Sequence, residues 1–150
     1  MSPDQRFLEL NLELPTAPAG AVAPKLRPVV VHGDLAFCSG NGDGSVRGYV
    51  GSGVSIDEAR AAARMTAHLL CRALREELGS LDRVGRWVKV LALVRSAPGF
   101  SDQPQVVNGF TEAIAELWGD DRGVSARSAI GVAELPGGMA VEVEAVVAVA

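Results

Sequence analysis

The C-terminal run Met139 to Val149 sets two carboxylates, Glu142 and Glu144, into an otherwise apolar stretch. Read as a strand, it has Met139, Val141, Val143, Ala145, Val147 and Val149 on one face. Side chains alternate along a strand, so Glu142 and Glu144 project together from the other face, among Ala140, Val146 and Ala148. The preceding run, Ser125 to Ala133, carries Arg127 opposite a more apolar row of Ala126, Ser128, Ile130 and Val132. With the loop Glu134-Leu135-Pro136-Gly137-Gly138 between them, the two runs read as a hairpin. If their apolar rows coincide, register parity puts Arg127 opposite Glu144 or one diagonal step away, on the sheet face turned from the helices. The pair is then either a cross-strand salt bridge or an anion site, because a guanidinium is planar, permanently charged and grips a carboxylate at two points.

Other reactive residue types are isolated. His32 and His68 have no second ligand at metal spacing and read as surface or helix-packing side chains. Cys38 and Cys71 lack a neighbouring histidine and read as buried, inert thiols. The stretch GNGDGSVRGYVGSG, with six of the chain's 17 glycines, is a loop. It has neither the ending of a phosphate loop nor the Rossmann spacing, and Val46 and Ser52 stand where a calcium loop needs Gly and Glu. Asn108 lies off the apolar stripe of its helix and reads as a solvated polar residue.

Several elements must position these groups. Pro15, Pro18, Pro24 and Pro28 punctuate the start of the chain, and residues 1–25 are expected to be an irregular lead-in. Within it Leu8 to Leu14 alternates with polar residues, a pattern that suits a short strand or a helix. Val29 to His32 and Leu35 to Ser39 flank Gly33-Asp34, which predicts a hairpin. Ser55 and Glu58 form a capping box for a helix that buries Ala59, Ala62, Ala63, Thr66, Leu69, Leu70, Ala73 and Leu74, with Gly79 as its stop. Val84 to Val94 predicts a long strand with Val84, Val88, Val90, Ala92 and Val94 on one face and Trp87, Leu91 and Leu93 on the other. A strand apolar on both faces needs cover on both, so a second subunit is expected on the side the helices leave open. Pro104 opens a second helix that turns Val107, Phe110, Ile114, Leu117 and Trp118 inward and stops at Gly119. The order ββαβαββ is an α+β arrangement with the helices packed on one face of the sheet.

Composition bounds the function. The 150 residues suit a single domain, 1–150, with 48% hydrophobic and 21% charged residues. A chain of this size buries roughly 70% of its unfolded surface, so it needs neither disulfides nor a structural metal to fold. The net charge of −4 and the 5% aromatic content argue against nucleic acid or an anionic membrane as partner. The first residues do not read as a signal peptide and no run reaches the roughly 20 apolar residues of a membrane helix, so a cytoplasmic location is expected.

Taken together, Phe37-Cys38-Ser39-Gly40, Val106-Val107-Asn108, Ala126-Arg127-Ser128-Ala129, Glu134-Leu135-Pro136 and Val141-Glu142-Val143-Glu144-Ala145 carry a resemblance. In this order and spacing, from about Pro15 onward, the chain resembles the RidA (also YjgF) family of reactive-intermediate deaminases, as a divergent member. No single tetrapeptide is specific, but the combined set is strong. The resemblance implies a chorismate-mutase-like subunit with a mixed sheet, assembled as a homotrimer with clefts between subunits. It implies hydrolysis of 2-imino or 2-enamino acids to a 2-oxo acid and ammonia, with no metal or organic cofactor.

Carried over by position, Arg127 is similar to the arginine that holds the substrate carboxylate, and Glu144 to the acidic residue that orients or activates water. Ser39 and Gly40 match the strand end beside the substrate, Asn108 a polar residue at the cleft rim, and Ser128 and Ala129 the stretch that follows the arginine. Two positions depart from the deaminating members: Val22 is the nearest counterpart of a tyrosine, and Ala129 stands where a cysteine is frequent. These changes leave room for an alternative, a trimeric protein that binds a small carboxylate without turnover. A ribonuclease is a third reading, against which the acidic balance and scarce aromatics weigh.

Overall fold

The Gly33-Asp34 turn joins the first two strands as its chemistry predicts, with Gly33 at φ 62°. Strand β1 (Val29–His32) pairs antiparallel with β2 (Leu35–Asn41). This computed structural model describes residues 1–16 and 25–150, so Val22 lies outside the described residues. Two short strands follow, β3 (Tyr49–Val50) and β4 (Gly53–Val54), then the helix α2 (Ile56–Leu78). The long strand β5 (Val84–Arg95), helix α3 (Gln103–Trp118), the single turn α4 (Asp120–Gly123), and strands β6 (Ala126–Val132) and β7 (Val141–Val149) complete the order. Five strands form one sheet in the order β1-β2-β7-β5-β6. The result is a mixed α+β fold with α2 and α3 on one face of a mixed sheet.

The lead-in is not wholly irregular. Helix α1 (Pro3–Glu9) forms because Ser2 and Gln5 make a capping box around Pro3 at its first turn. It is tied to the body through Asp4, whose Oδ1 accepts from Arg75 Nε at 2.9 Å and from the Leu81 amide at 3.0 Å. Arg6 Nη1 donates to the Leu117 carbonyl at 2.7 Å.

Both main helices follow their sequence signals. The Ser55–Glu58 capping box is present, and Gly79 ends α2 in the left-handed region at φ 84°. In α3, Val107, Phe110, Ile114, Leu117 and Trp118 are buried, and Trp118 Nε1 donates to the Val84 carbonyl. The two helices touch closely at Gly109, where an added Cβ would sit 2.2 Å from the Arg60 carbonyl oxygen. Above that contact, Arg60 pairs with Glu112 and Arg64 with Glu116.

Two further features depart from the sequence reading, beyond α1 and the short strands β3 and β4 within the glycine-rich stretch. Irregularities in β5, between Val84 and Arg86 and between Trp87 and Lys89, shift which residues face the helices. Trp87 therefore turns into the core with Val84, Val90, Ala92 and Val94, packing edge-to-face on Phe110 and Trp118, while Val88 is exposed. The second departure is larger: β6 and β7 are not a hairpin. Strand β6 runs parallel to β5, and β7 runs antiparallel to β5 on its other side. The α3 crossover makes the parallel pairing possible, and the loop after β6 carries the chain across the end of β5 to reach β7.

The sheet face away from the helices is partly apolar and open. Val30, Phe37 and Ile130 are each more than 40% exposed, and Leu91, Leu93 and Val146 are half-buried. No helix among the described residues is long and apolar enough to cross a membrane.

Candidate functional site

Because β5 separates β6 from β7, Arg127 and Glu144 are not cross-strand neighbours. Arg127 is paired with Val90, and Val90 with Ala145. Glu144 is paired with Leu91, and Leu91 with Ser128. Adjacent strand positions point to opposite faces, so Arg127 lies on the helix side of the sheet and Glu144 on the open side. This overturns the expected Arg–Glu constellation on one face. The expectation failed because it took the more apolar row of β6 as the helix-facing row. Helix α3 comes too close for that: a Cβ on Gly131 would meet Gln103 Nε2 at 2.9 Å and Ser96 Oγ at 3.0 Å. The helix-facing row of β6 is accordingly Arg127, Ala129 and Gly131, and Ser128 and Ile130 turn to the open face.

On the helix side, Arg127 is half-buried and held by α3. Its Nη1 donates to Asn108 Oδ1 at 3.0 Å and to Thr111 Oγ1 at 3.1 Å. Both acceptors are neutral, and among the described residues no carboxylate pairs with Arg127. Asn108 is thus not a merely solvated side chain, as its position on the helix had suggested; it binds the arginine. Ala129 follows on the same row, half-buried against the core.

On the open side, Ser39 and Gly40 form an irregularity in β2 between Cys38, paired with Ala145, and Asn41, paired with Val143. Two residues therefore stand opposite the single residue Glu144. Ser39 is anchored by its amide to the Pro28 carbonyl and by its hydroxyl to the Arg27 carbonyl at 2.6 Å. Glu142 leans over Gly40 so closely that an added Cβ would lie 2.9 Å from Oε2. Burial, and then the nearby Glu144, push the Glu142 carboxyl above its ordinary range. Glu144 lines a depression of about 310 Å³ with Phe37, Lys89, Leu91 and Val146. Lys89 Nζ donates to Ser128 Oγ at 3.0 Å at its edge.

Sequence reasoning missed a second arginine. Arg95, last in β5, donates through Nε and Nη2 to Glu134 Oε2 at 3.1 and 2.7 Å, and through Nη1 to the Gly138 carbonyl. Its guanidinium stacks 3.9 Å from the centroid of the Tyr49 ring, and Tyr49 donates its hydroxyl to Glu134 Oε1. Glu134 and Tyr49 are far from Arg95 in the chain, so no local spacing signalled the cluster. Both histidines and Cys71 lie outside these groups, while Cys38 borders the depression that Glu144 lines. Cys38 and Cys71 are free and buried, with the Cys38 thiol pushed up to about 12 by burial. His32 is exposed, and His68 is buried near Phe7.

Comparison with known proteins agrees with this fold. No family model matches the chain. The curated protein TCP17 of Trypanosoma cruzi is 37% identical over 141 residues, covering 92% of this chain and 88% of TCP17. Among solved structures, Atu1372 from Agrobacterium tumefaciens, a protein of unknown function, is 30% identical at a TM-score of 0.85. That match covers 98% of this chain and 91% of Atu1372. The E. coli YjgF gene product is 26% identical at a TM-score of 0.57, over 88% of this chain and 92% of its own. The chain belongs to the RidA/YjgF family.

Proposed function

We propose that this protein is a hydrolytic deaminase of 2-imino or 2-enamino acids, working in clefts between the subunits of a homotrimer. The observation that carries the reading is Arg127, a half-buried guanidinium held by neutral acceptors with its charge left over for a ligand. A planar cation presented in this way suits the carboxylate of a small imino acid. Glu144 supplies the acid–base function: it takes a proton from water as the oxygen attacks the C=N carbon. It returns that proton to the nitrogen, giving the carbinolamine, and then relays the carbinolamine hydroxyl proton to the amino nitrogen, so that ammonia leaves as the carbonyl forms.

Arg127 and Glu144 lie on opposite faces of one sheet, so a site that uses both draws Arg127 from one protomer and Glu144 from its neighbour. The exposed apolar residues Val30, Phe37 and Ile130 supply surface for that association. The test is complementation between two inactive variants, Arg127→Ala and Glu144→Gln, assayed by ammonia release from freshly generated 2-iminopropionate. Each alone is expected to be inactive. Trimers reassembled from an equal mixture should recover about one quarter of the wild-type rate, the statistical share of interfaces that unite an intact Arg127 with an intact Glu144. A mixture that stays inactive, or a wild type no faster than buffer, refutes the proposal.

Ala129 favours a second reading, in which the same cleft binds a small carboxylate without turning it over. It offers only a methyl group where the deaminating relatives frequently have cysteine. Thermal stabilisation by 2-oxobutyrate or benzoate that vanishes in Arg127→Ala, with no ammonia released, would select this reading.

A further inference from the structure

Thr111 has no role in anything described so far beyond its contact to Arg127. We propose that Thr111 and Asn108 form a positioning cradle that aims the Arg127 guanidinium at a ligand carboxylate, with Asn108 serving from behind the arginine. The inference rests on the carboxylate-binding reading above.

The two residues stand three apart on α3 and so share one helix face. Both accept from the same nitrogen, Arg127 Nη1, at 3.0 Å from Asn108 Oδ1 and 3.1 Å from Thr111 Oγ1. Nη1 carries two hydrogens, so the cradle occupies that nitrogen fully and touches no other part of the group. Nε and Nη2 remain, and they share the guanidinium edge whose parallel N–H bonds match the two oxygens of a carboxylate. Two anchors on one terminal nitrogen also fix the plane of the group, which a single bond leaves free to swing.

The charge of the cradle matters as much as its geometry. A carboxylate at position 108 or 111 would consume the arginine in an internal ion pair. The acidic residues that α3 does carry nearby are directed elsewhere: Glu112, next to Thr111 in sequence, pairs with Arg60, and Glu116 pairs with Arg64. An amide and a hydroxyl orient the cation without neutralising it. The hydroxyl belongs to a β-branched residue on a helix, whose χ1 is restricted, so the acceptor itself is held.

The test compares Thr111→Val, which keeps the shape and removes the acceptor, with Thr111→Ser, which restores it. Affinity for 2-oxobutyrate, measured by calorimetry, should fall about tenfold in Thr111→Val and recover to within about twofold in Thr111→Ser, as expected for losing one hydrogen bond to a charged group. A second readout needs no ligand. Anchoring Nη1 to α3 slows rotation about the Nε–Cζ bond, which exchanges the two Nη nitrogens, so 15N NMR should resolve the two Nη signals of Arg127 in the wild type and show them merging in Thr111→Val. Wild-type affinity in Thr111→Val, with binding abolished in Arg127→Ala, overturns the cradle and leaves the carboxylate site standing. Merged Nη signals in the wild type also overturn the cradle. A wild type that binds neither 2-oxobutyrate nor benzoate overturns the carboxylate reading and this inference together.

Discussion

Arg95 closes β5 and Arg127 lies near the start of β6, and the two guanidinium groups have found partners of different charge. For Arg95 the Nε and Nη2 edge is spent on Glu134, Nη1 is spent on the Gly138 carbonyl, and one flat face is covered by Tyr49. For Arg127 the bonds run the other way round: Nη1 is held by an amide and a hydroxyl, and no carboxylate reaches the Nε and Nη2 edge among the described residues. Arg95 thus turns its Nε and Nη2 edge on one carboxylate oxygen, Glu134 Oε2, while Tyr49 takes Oε1, whereas the same edge of Arg127 meets no carboxylate among the described residues. The partners of Arg95 also explain its job. The loop between β6 and β7 must cross the end of β5, and Arg95 ties Glu134 and Gly138 of that loop to the strand beneath. One arginine is consumed in fastening the connection, and the other is oriented without being consumed.

The largest expected effect comes from exchanging the two losses. Arg127→Ala should weaken 2-oxobutyrate binding more than about 100-fold, since a charge-assisted bidentate contact is removed, while the melting temperature stays close to wild type. Arg95→Ala should do the reverse, lowering the melting temperature by a few degrees while affinity is retained. Calorimetry and thermal melts on both variants decide the matter, and the contrast is lost if either variant shows both defects.

A smaller change is expected from Arg127→Lys, which keeps the charge and discards the planar fork. Lysine cannot take two acceptors on one nitrogen and present a parallel pair of donors from the opposite edge, so affinity should fall about tenfold rather than vanish. Affinity equal to wild type would show that charge alone, and not orientation, matters at this position.

The smallest effect concerns pH at the Arg95 cluster. The bond from the Tyr49 hydroxyl, and then that from Arg95, hold the Glu134 carboxyl below the usual carboxylate range. A depressed carboxyl contributes stability that is present above the unfolded value of about 4.3 and is lost as pH falls through the lower folded value. Glu134→Gln should therefore be slightly less stable than wild type near neutrality and flatter in its acid limb, with 2-oxobutyrate binding unaltered. Melting curves taken from pH 7 downward test this, and parallel acid limbs would remove Glu134 from the account.

Much of the fold is legible in local spacing. The Gly33-Asp34 turn, the Ser55–Glu58 cap, the stops at Gly79 and Gly119 and the inward residues of α3 all lie where short-range patterns put them. The inward row of β7 is legible too, from Val141 to Val147. Helix α1 carried its own signal in Ser2-Pro3-Asp4-Gln5, which the later prolines obscured. Arg127, Glu144, Asn108, Ser39 and Gly40 could be named from the chain, through the family likeness; Thr111, Lys89 and Arg95 could not, because only the fold brings them beside their partners. The mutual arrangement of these residues could not be read there either.

The reason is that a sequence pattern describes each element's two faces but not which neighbour or layer each face meets. In β6 the row Ala126-Ser128-Ile130 is the more apolar, yet it turns outward, because α3 approaches so near that the inner row beyond Arg127 can hold only Ala129 and Gly131. In β5 the irregularities exchange the faces of Val88 and Trp87, an outcome that period-two counting has no means to register. The placement of β5 between β6 and β7 depends on pairings across long stretches of chain, and it sends Arg127 and Glu144 to opposite sides of the sheet. Residue types and spacing determine which reactive side chains the chain holds; contacts between distant strands and the closeness of one helix decide which way each of them faces.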